Sequence, residues 1–316
     1  MTVLRLIVGR VLVSVLTLLL VSALIFFFVE ILPGDVASRI LGRDATPENL
    51  AVLRERLHLN DPAALRYLRW LGTVMTGDLG TALTSARPIN EILAPRIVNT
   101  LLLSAFAFAV YVPLALIPAA LQAINRDRPL DHALSVVTLV LVSMPEFLLG
   151  TLLMIVFVAF ARLLPAMSLV DETTSFTEFV RAITLPGLTL GIVMAVYAVR
   201  MLRDNLIEVL DADFIRMAEL KGLSRRRVLV RHALPNALVP TLNVTALNLA
   251  YLVGGVVVVE RVFAFPGFGS LLVDALQLRD APLIEATVLI TALVYIGANL
   301  IADVGAILLN PRLRAG

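Results

Sequence analysis

Residues 213–236 read Asp213-Phe-Ile-Arg-Met-Ala-Glu-Leu-Lys-Gly-Leu-Ser-Arg-Arg-Arg-Val-Leu-Val-Arg-His-Ala-Leu-Pro-Asn236, a basic, glycine-centred stretch set between two long apolar ones. The flanks are long enough to cross a bilayer, so this stretch has to return to water at one membrane face. Asp211 or Asp213 can cap a helix start, and Phe214, Met217 and Ala218 fall on one face with Leu220 and Leu223 beside it. Lys221 suits the last turn of such a helix, and Gly222 stands where a helix commonly ends. Ser224 to Arg227 opens a second, basic stretch that Leu234-Pro235 breaks before the next apolar run. A solvated loop held to anionic headgroups would account for the arginines. It would not account for an apolar face that stops on a glycine, which is what a helix docking onto another protein requires.

Moving outward, the chain has 316 residues, of which 59% are hydrophobic and only 16% charged, against roughly 25% in an average soluble domain. The mean hydropathy is +0.93. The class predicted is an all-α polytopic membrane protein. Apolar segments near 9–30, 98–124, 133–161, 184–202, 237–259 and 284–309 give six transmembrane helices, the third of them either long and tilted or broken at Pro145. Arg5 and Arg10 precede an apolar run from Val11 to Val29 that is too long for a signal-peptide core and has no small-residue cleavage site after it, so it reads as an uncleaved first membrane helix. Arginine and lysine concentrate in 1–8, 125–132, 203–236 and 310–316, which places those segments and both termini in the cytoplasm.

The long outer segment 31–97 carries its own helix signals. Thr46-Pro47-Glu48 reads as a cap, a first-turn proline and a first-turn acid, with Leu50, Leu53 and Leu57 sharing a face after it. Asp61-Pro62 starts a second helix with Leu65, Leu68 and Leu71 beside Tyr67 and Trp70, closed by Thr76-Gly-Asp-Leu-Gly80. The organisation expected is 1–97, first transmembrane helix plus a small helical cap lying on or near the outer surface, then 98–316, a core of five transmembrane helices with the loop 203–236.

Catalytic chemistry finds no footing in this sequence. There are no cysteines, and His58, His132 and His232 belong to three different loops, so no metal site is expected. No phosphate-binding G-x-x-x-x-G-K-[ST], H-E-x-x-H or G-x-S-x-G is present, so the chain has no evident means of binding ATP itself. Glu30, Glu146, Glu260 and Asp303 are scattered rather than chained as an ion relay would need. Glu30 and Glu260-Arg261 read as interfacial, whereas Glu146 and Asp303 divide evenly between bundle-interior structural pairs and pathway-lining groups. The arginines are spread over several loops without a nucleic-acid-binding signature.

With these residues in view the chain resembles the permeases of ABC importers, and within them the oligopeptide/dipeptide branch. The spacing Ala218-x3-Gly222-x11-Leu234-Pro235 looks like their EAA loop. Leu32-Pro-Gly-Asp35, Tyr67-Leu-Arg-Trp70, Gly77-Asp-Leu-Gly80, Arg87-Pro88-Ile89, Phe263-Ala-Phe-Pro-Gly-Phe-Gly269, Arg279-Asp280 and Asn310-Pro-Arg-Leu-Arg314 resemble the same branch in order along the chain. One departure is that Arg216 and Met217 stand at the loop's nominal glutamate and first alanine. The resemblance implies a type I ABC importer permease fold in a bacterial inner membrane, with no cofactor in this chain and ATP and Mg held by two separate ATPase subunits. It implies further partners: a second related permease forming a heterodimer, a periplasmic solute-binding protein and membrane lipid, with no nucleic acid. Asp213, Phe214, Arg216, Met217, Ala218, Glu219, Lys221, Gly222 and Leu223 would couple to the ATPase, Ala218 and Gly222 allowing close backbone approach. Tyr67, Trp70, Asp78, Phe265, Pro266 and Gly267 would face the binding protein, with Pro266-Gly267 as a tight turn. The cargo expected is di- or oligopeptide-like. An ion-coupled secondary carrier and a non-transporting membrane scaffold are the competing readings.

Overall fold

A computed structural model describes residues 3–31, 37, 41, 45–56, 60–171, 173–241, 245, 252 and 256–309. In chain order the helices are α1 (Val3–Ile31), α2 (Pro47–Arg56), α3 (Ala63–Met75), α4 (Ile89–Ile124), α5 (Pro129–Ser143), α6 (Glu146–Met154), α7 (Phe176–Leu210), α8 (Asp213–Leu220), α9 (Arg225–Val228), α10 (Val257–Val262), α11 (Phe268–Leu278) and α12 (Ala281–Leu309). A π-helical turn extends α6 over Ile155–Phe160, and another extends α9 over Leu229–Ala233 into helical residues 234–241.

Within the described residues α1, α4 and α7 are each long and apolar enough to cross a membrane, and α5 with α6 makes a fourth candidate bent by 109°. The bend sits at Pro145. Proline disfavours helical backbone at the residue before it, and Met144 is extended at φ −87°, ψ 129°. The third expected segment is therefore broken rather than tilted. The fifth, 237–259, falls largely outside the described residues, as do Leu32–Asp35, His58, Asn310–Arg314 and the side chain of Asp303.

The chain forms two compact units, residues 1–98 with 267–316, and residues 99–266. This grouping differs from a division at 97/98, because α12 packs along α1 and joins the chain's end to its beginning. In the first unit Ala82, Ile89 and Leu93 bury against Phe268, Leu271, Ala275, Leu283 and Ile284. Asp280, 1% exposed, ties this core together. Its carboxylate accepts from Thr84 N and Thr84 Oγ1 at 2.9 and 2.8 Å and from Leu283 N at the start of α12.

The second unit is built on α4 and α7. Their approach depends on Gly187 and Gly191: a Cβ on the first would lie 2.3 Å from the Phe106 ring, and on the second 2.7 Å from Val110 Cγ1. This is the small-residue spacing that lets membrane helices pack closely. Pro186, inside α7, has no N–H for the Ala182 carbonyl four residues earlier. The Ser168 hydroxyl donates to that carbonyl instead, at 2.6 Å, while Ser168 N donates to Phe263 O. The start of α7 is a capping box, in which Ser175 Oγ accepts from Glu178 N and Glu178 Oε2 from Ser175 N. Just before it, hydrogen bonds from Thr173 and Thr174 hold the Asp171 carboxyl below its ordinary range.

Glu260, expected at the membrane interface, is packed inside the protein. It is fully buried in the second unit and accepts from Thr100 Oγ1 at 2.6 Å. The turn expected at Pro266-Gly267 lies earlier, at Phe263-Ala264, where Ala264 takes φ 52°. Gly267 itself is extended, at φ −99°, ψ −178°, and caps α11.

Candidate functional site

The α8 helix is short, and its seat explains its position. Ile215 and Ala218 are buried at 1% and 7% exposure. They join Ala119 and Ala123 of α4, Leu202 and Leu206 of α7, and Val228, Ala233 and Ala237 in one apolar cluster within the second unit. The expected face of Phe214, Met217 and Ala218 is therefore divided. Ala218 points inward with Ile215, whose contribution the sequence reading did not include. Phe214, Met217 and Leu220 remain outside, at 50%, 54% and 82% exposure. With 3.6 residues per turn, 215 and 218 share one side while 217 and 220 share another.

Both ends of α8 are set by backbone rather than side-chain chemistry. Neither Asp211 nor Asp213 caps it. Ala212 is the N-cap with no side-chain hydrogen bond, and Asp213 is the first-turn acid. At the other end Gly222 takes φ 78°. Gly222 N donates to Glu219 O at 2.9 Å and Leu223 N to Ala218 O at 3.3 Å, the paired bonds of a Schellman stop. Arg216, Glu219 and Lys221 are exposed around the apolar residues, and Arg225, Arg226 and Arg227 open α9 beside them. The result is a fixed, two-turn helix whose free side carries large apolar groups ringed by charge.

The approach to this helix is braced by ion pairs that the sequence reading did not single out. Arg203 grips Asp131 with two bonds, Nε to Oδ1 at 2.8 Å and Nη2 to Oδ2 at 2.6 Å, and Asp131 is 1% exposed. Asp127 N also donates to Asp131. Arg126 pairs with Asp211 at 2.9 Å, at the end of α7 immediately before α8. Pro129 at the start of α5 with an acid two residues later was the available signal for Asp131; its partner 72 positions on was not legible.

The residues expected to face a binding protein belong to both units. Tyr67 and Trp70 pack their rings against Phe26 of α1, with centroids 5.5 and 5.9 Å away. Asp78 is exposed and accepts from Gly80 N. Phe265 is buried at 1% in the core of the second unit, where Asn99 Nδ2 donates to Pro266 O. Among the described residues no group of three His, Asp or Glu side chains is placed to hold a metal ion.

Long apolar helices interrupted by a seated amphipathic helix with a free apolar side are the features of a helical membrane protein with an exposed apolar helix face. Residues 111–315 match the family of binding-protein-dependent transport system inner membrane components, and residues 3–89 match the N-terminal region of such components. The chain belongs to this family. It is 37% identical over 300 residues to the glutathione transport system permease protein GsiC of Salmonella paratyphi A, covering 94% of this chain and 95% of that one. It is 34% identical over 309 residues, 98% of each chain, to a putative peptide transport system permease protein of Brucella abortus. The chain is thus a permease component of an ABC transport system of the peptide branch, and ATP hydrolysis falls to separate ATPase subunits.

Proposed function

We propose that this permease lines the path of a peptide-like solute and that α8 is the element through which ATP hydrolysis drives it. Phe214, Met217 and Leu220 would fill a groove on an ATPase subunit, with Arg216, Glu219 and Lys221 pairing at the rim. Seating of Ile215 and Ala218 in the permease's own core makes α8 move as one body with α4 and α7. Closure of two ATPases on ATP and Mg would then shift this permease and a related second one between two access states, through contacts that differ between the states. Six spans with both termini cytoplasmic, a heterodimer, and a periplasmic binding protein delivering the solute complete the proposal. At the outer side Asp78 would meet that protein directly, Tyr67 and Trp70 would hold α3 against α1, and Phe265, Pro266 and Gly267 would fix the course of their own loop. The names of the relatives, glutathione and peptide transport permeases, favour peptide-like cargo.

The observation that carries the coupling role is the exposure of three large apolar side chains on a helix that is otherwise anchored. The test compares Leu220→Asp with Ile215→Ala in the transporter reconstituted in vesicles. Leu220→Asp is expected to leave thermal stability unchanged and abolish ATP-dependent uptake. Ile215→Ala is expected to lower stability by about 2–5 kcal/mol through the cavity it leaves. Full uptake with Leu220→Asp, or uptake driven by an ion gradient without ATPase subunits, would overturn the coupling role.

A further inference from the structure

The α3 helix lies across the outer half of α1, not beyond its end. Its Tyr67 hydroxyl is 2.8 Å from Ser22 Oγ and 3.4 Å from the Leu19 carbonyl. Tyr67 meets the Phe26 ring edge-on, Trp70 meets it tilted, and Phe27 also meets Tyr67. Leu19 is 12 residues before the end of α1 at Ile31, which is about 18 Å along a helix. On its other side α3 is pinned by Arg66 to Glu30, near the end of α1.

The circumference of α3 is divided in three. Tyr67, Trp70, Leu71 and Val74 turn toward α1 and are half-buried. Arg69 and Thr73 lie along one flank: Arg69 pairs with Asp61, and Thr73 donates to the Arg69 carbonyl. The opposite flank is apolar and open. Ala64, Leu68 and Met75 follow one another there, Leu68 at 62% and Met75 at 81% exposure, with Leu65 beside them. The helix that α3 packs on, α1, is long and apolar enough to cross a membrane, and its own side chains Leu20, Leu24 and Phe28 are exposed as well.

We infer that α3 is an in-plane membrane helix whose Leu68–Met75 flank is covered by phospholipid acyl chains of the leaflet surrounding the C-terminal half of α1. Its Arg66–Arg69 flank lies at the headgroups. An amphipathic helix lying in the membrane plane with its apolar side among acyl chains is the physical form such an arrangement takes. The α3 part of the outer segment is then a lipid-anchored shelf. This rests on the permease reading only for the presence of the membrane.

The sequence supplies its own probes. Trp70 is the only tryptophan, and there is no native cysteine. In the full chain reconstituted in phosphatidylcholine vesicles, Trp70 fluorescence is expected to be quenched strongly by phosphatidylcholine brominated on the acyl chain and weakly by aqueous iodide. Spin labels on Leu68→Cys and Met75→Cys, attached before assembly with the partner subunits, are expected to collide several-fold more with oxygen than with a water-soluble nickel chelate, and a label on Asp78→Cys the reverse. Equal access of the chelate to 68, 75 and 78 would show a water-facing flank and overturn the inference. Exclusion of both reagents from 68 and 75 would show a protein covering and overturn it equally. Either failure leaves the α8 coupling test untouched, and failure of that test leaves these collision ratios as they are.

Discussion

Gly222 and Ser168 show how much single positions carry. Gly222 has open space around its Cβ position, so bulk alone would be tolerated, but its φ of 78° is a region that L side chains enter at a cost of about 1–2 kcal/mol. Gly222→Val is therefore expected to fray α8, and Gly222→Asn to do so less, read as faster amide hydrogen exchange across 213–222. Equal protection in both variants would mean that the Schellman stop does not hold the helix. Ser168 answers a different need, the carbonyl that Pro186 leaves without a donor. Ser168→Ala strands that buried group and is expected to cost about 1–3 kcal/mol in thermal unfolding. Pro186 was visible in the sequence and implied an unpaired carbonyl. That the donor would come from a loop 14 residues earlier was not visible, because it depends on how that loop folds back.

For the helices the governing fact is close approach. At Gly191 a Cβ would meet both Val110 and, at 3.1 Å, the backbone carbonyl of Ala107, which cannot move aside without moving α4. Gly191→Val is expected to destabilise by about 1–3 kcal/mol through overpacking. Gly72, in α3 with nothing within 4 Å, provides the contrast. Gly72→Ala is expected to stabilise by about 0.4–1 kcal/mol by restricting the unfolded chain. Matching melting shifts for the two substitutions would remove the helix-contact argument. The amphipathic character of α8 was readable from its spacing, but the choice of inward face was not. Phe214, Met217 and Ala218 form as plausible a stripe as Ile215 and Ala218 do. Only the seat made by Ala119 and Ala123 of α4 with Leu202 and Leu206 of α7 decides for Ile215 and Ala218.

Across the chain, the distribution of arginine sets a testable orientation. A cysteine placed at Ser224 is expected to react with an impermeant maleimide only in inverted membrane vesicles, and one at Thr174 only in cells with an intact inner membrane. The opposite pattern would reverse the proposed topology and take α8 away from any cytoplasmic ATPase. The joining of α12 to α1 belongs to this level too. Nothing in either apolar segment names its partner, since one lipid-compatible helix surface reads much like another.

Composition and apolar run length were enough to make this a helical membrane protein, because the bilayer imposes a length and a polarity that any spanning sequence must display. Local chemistry was enough to mark the helix end at Gly222 and to offer Pro145 as one place for a break, because glycine and proline act on their own backbone. Contacts between distant segments were not contained in any local pattern: Arg203 on Asp131, Tyr67 against α1, and Glu260 buried on Thr100. Those pairings arise when helices choose neighbours, and that choice is made by shape and depth summed over many side chains.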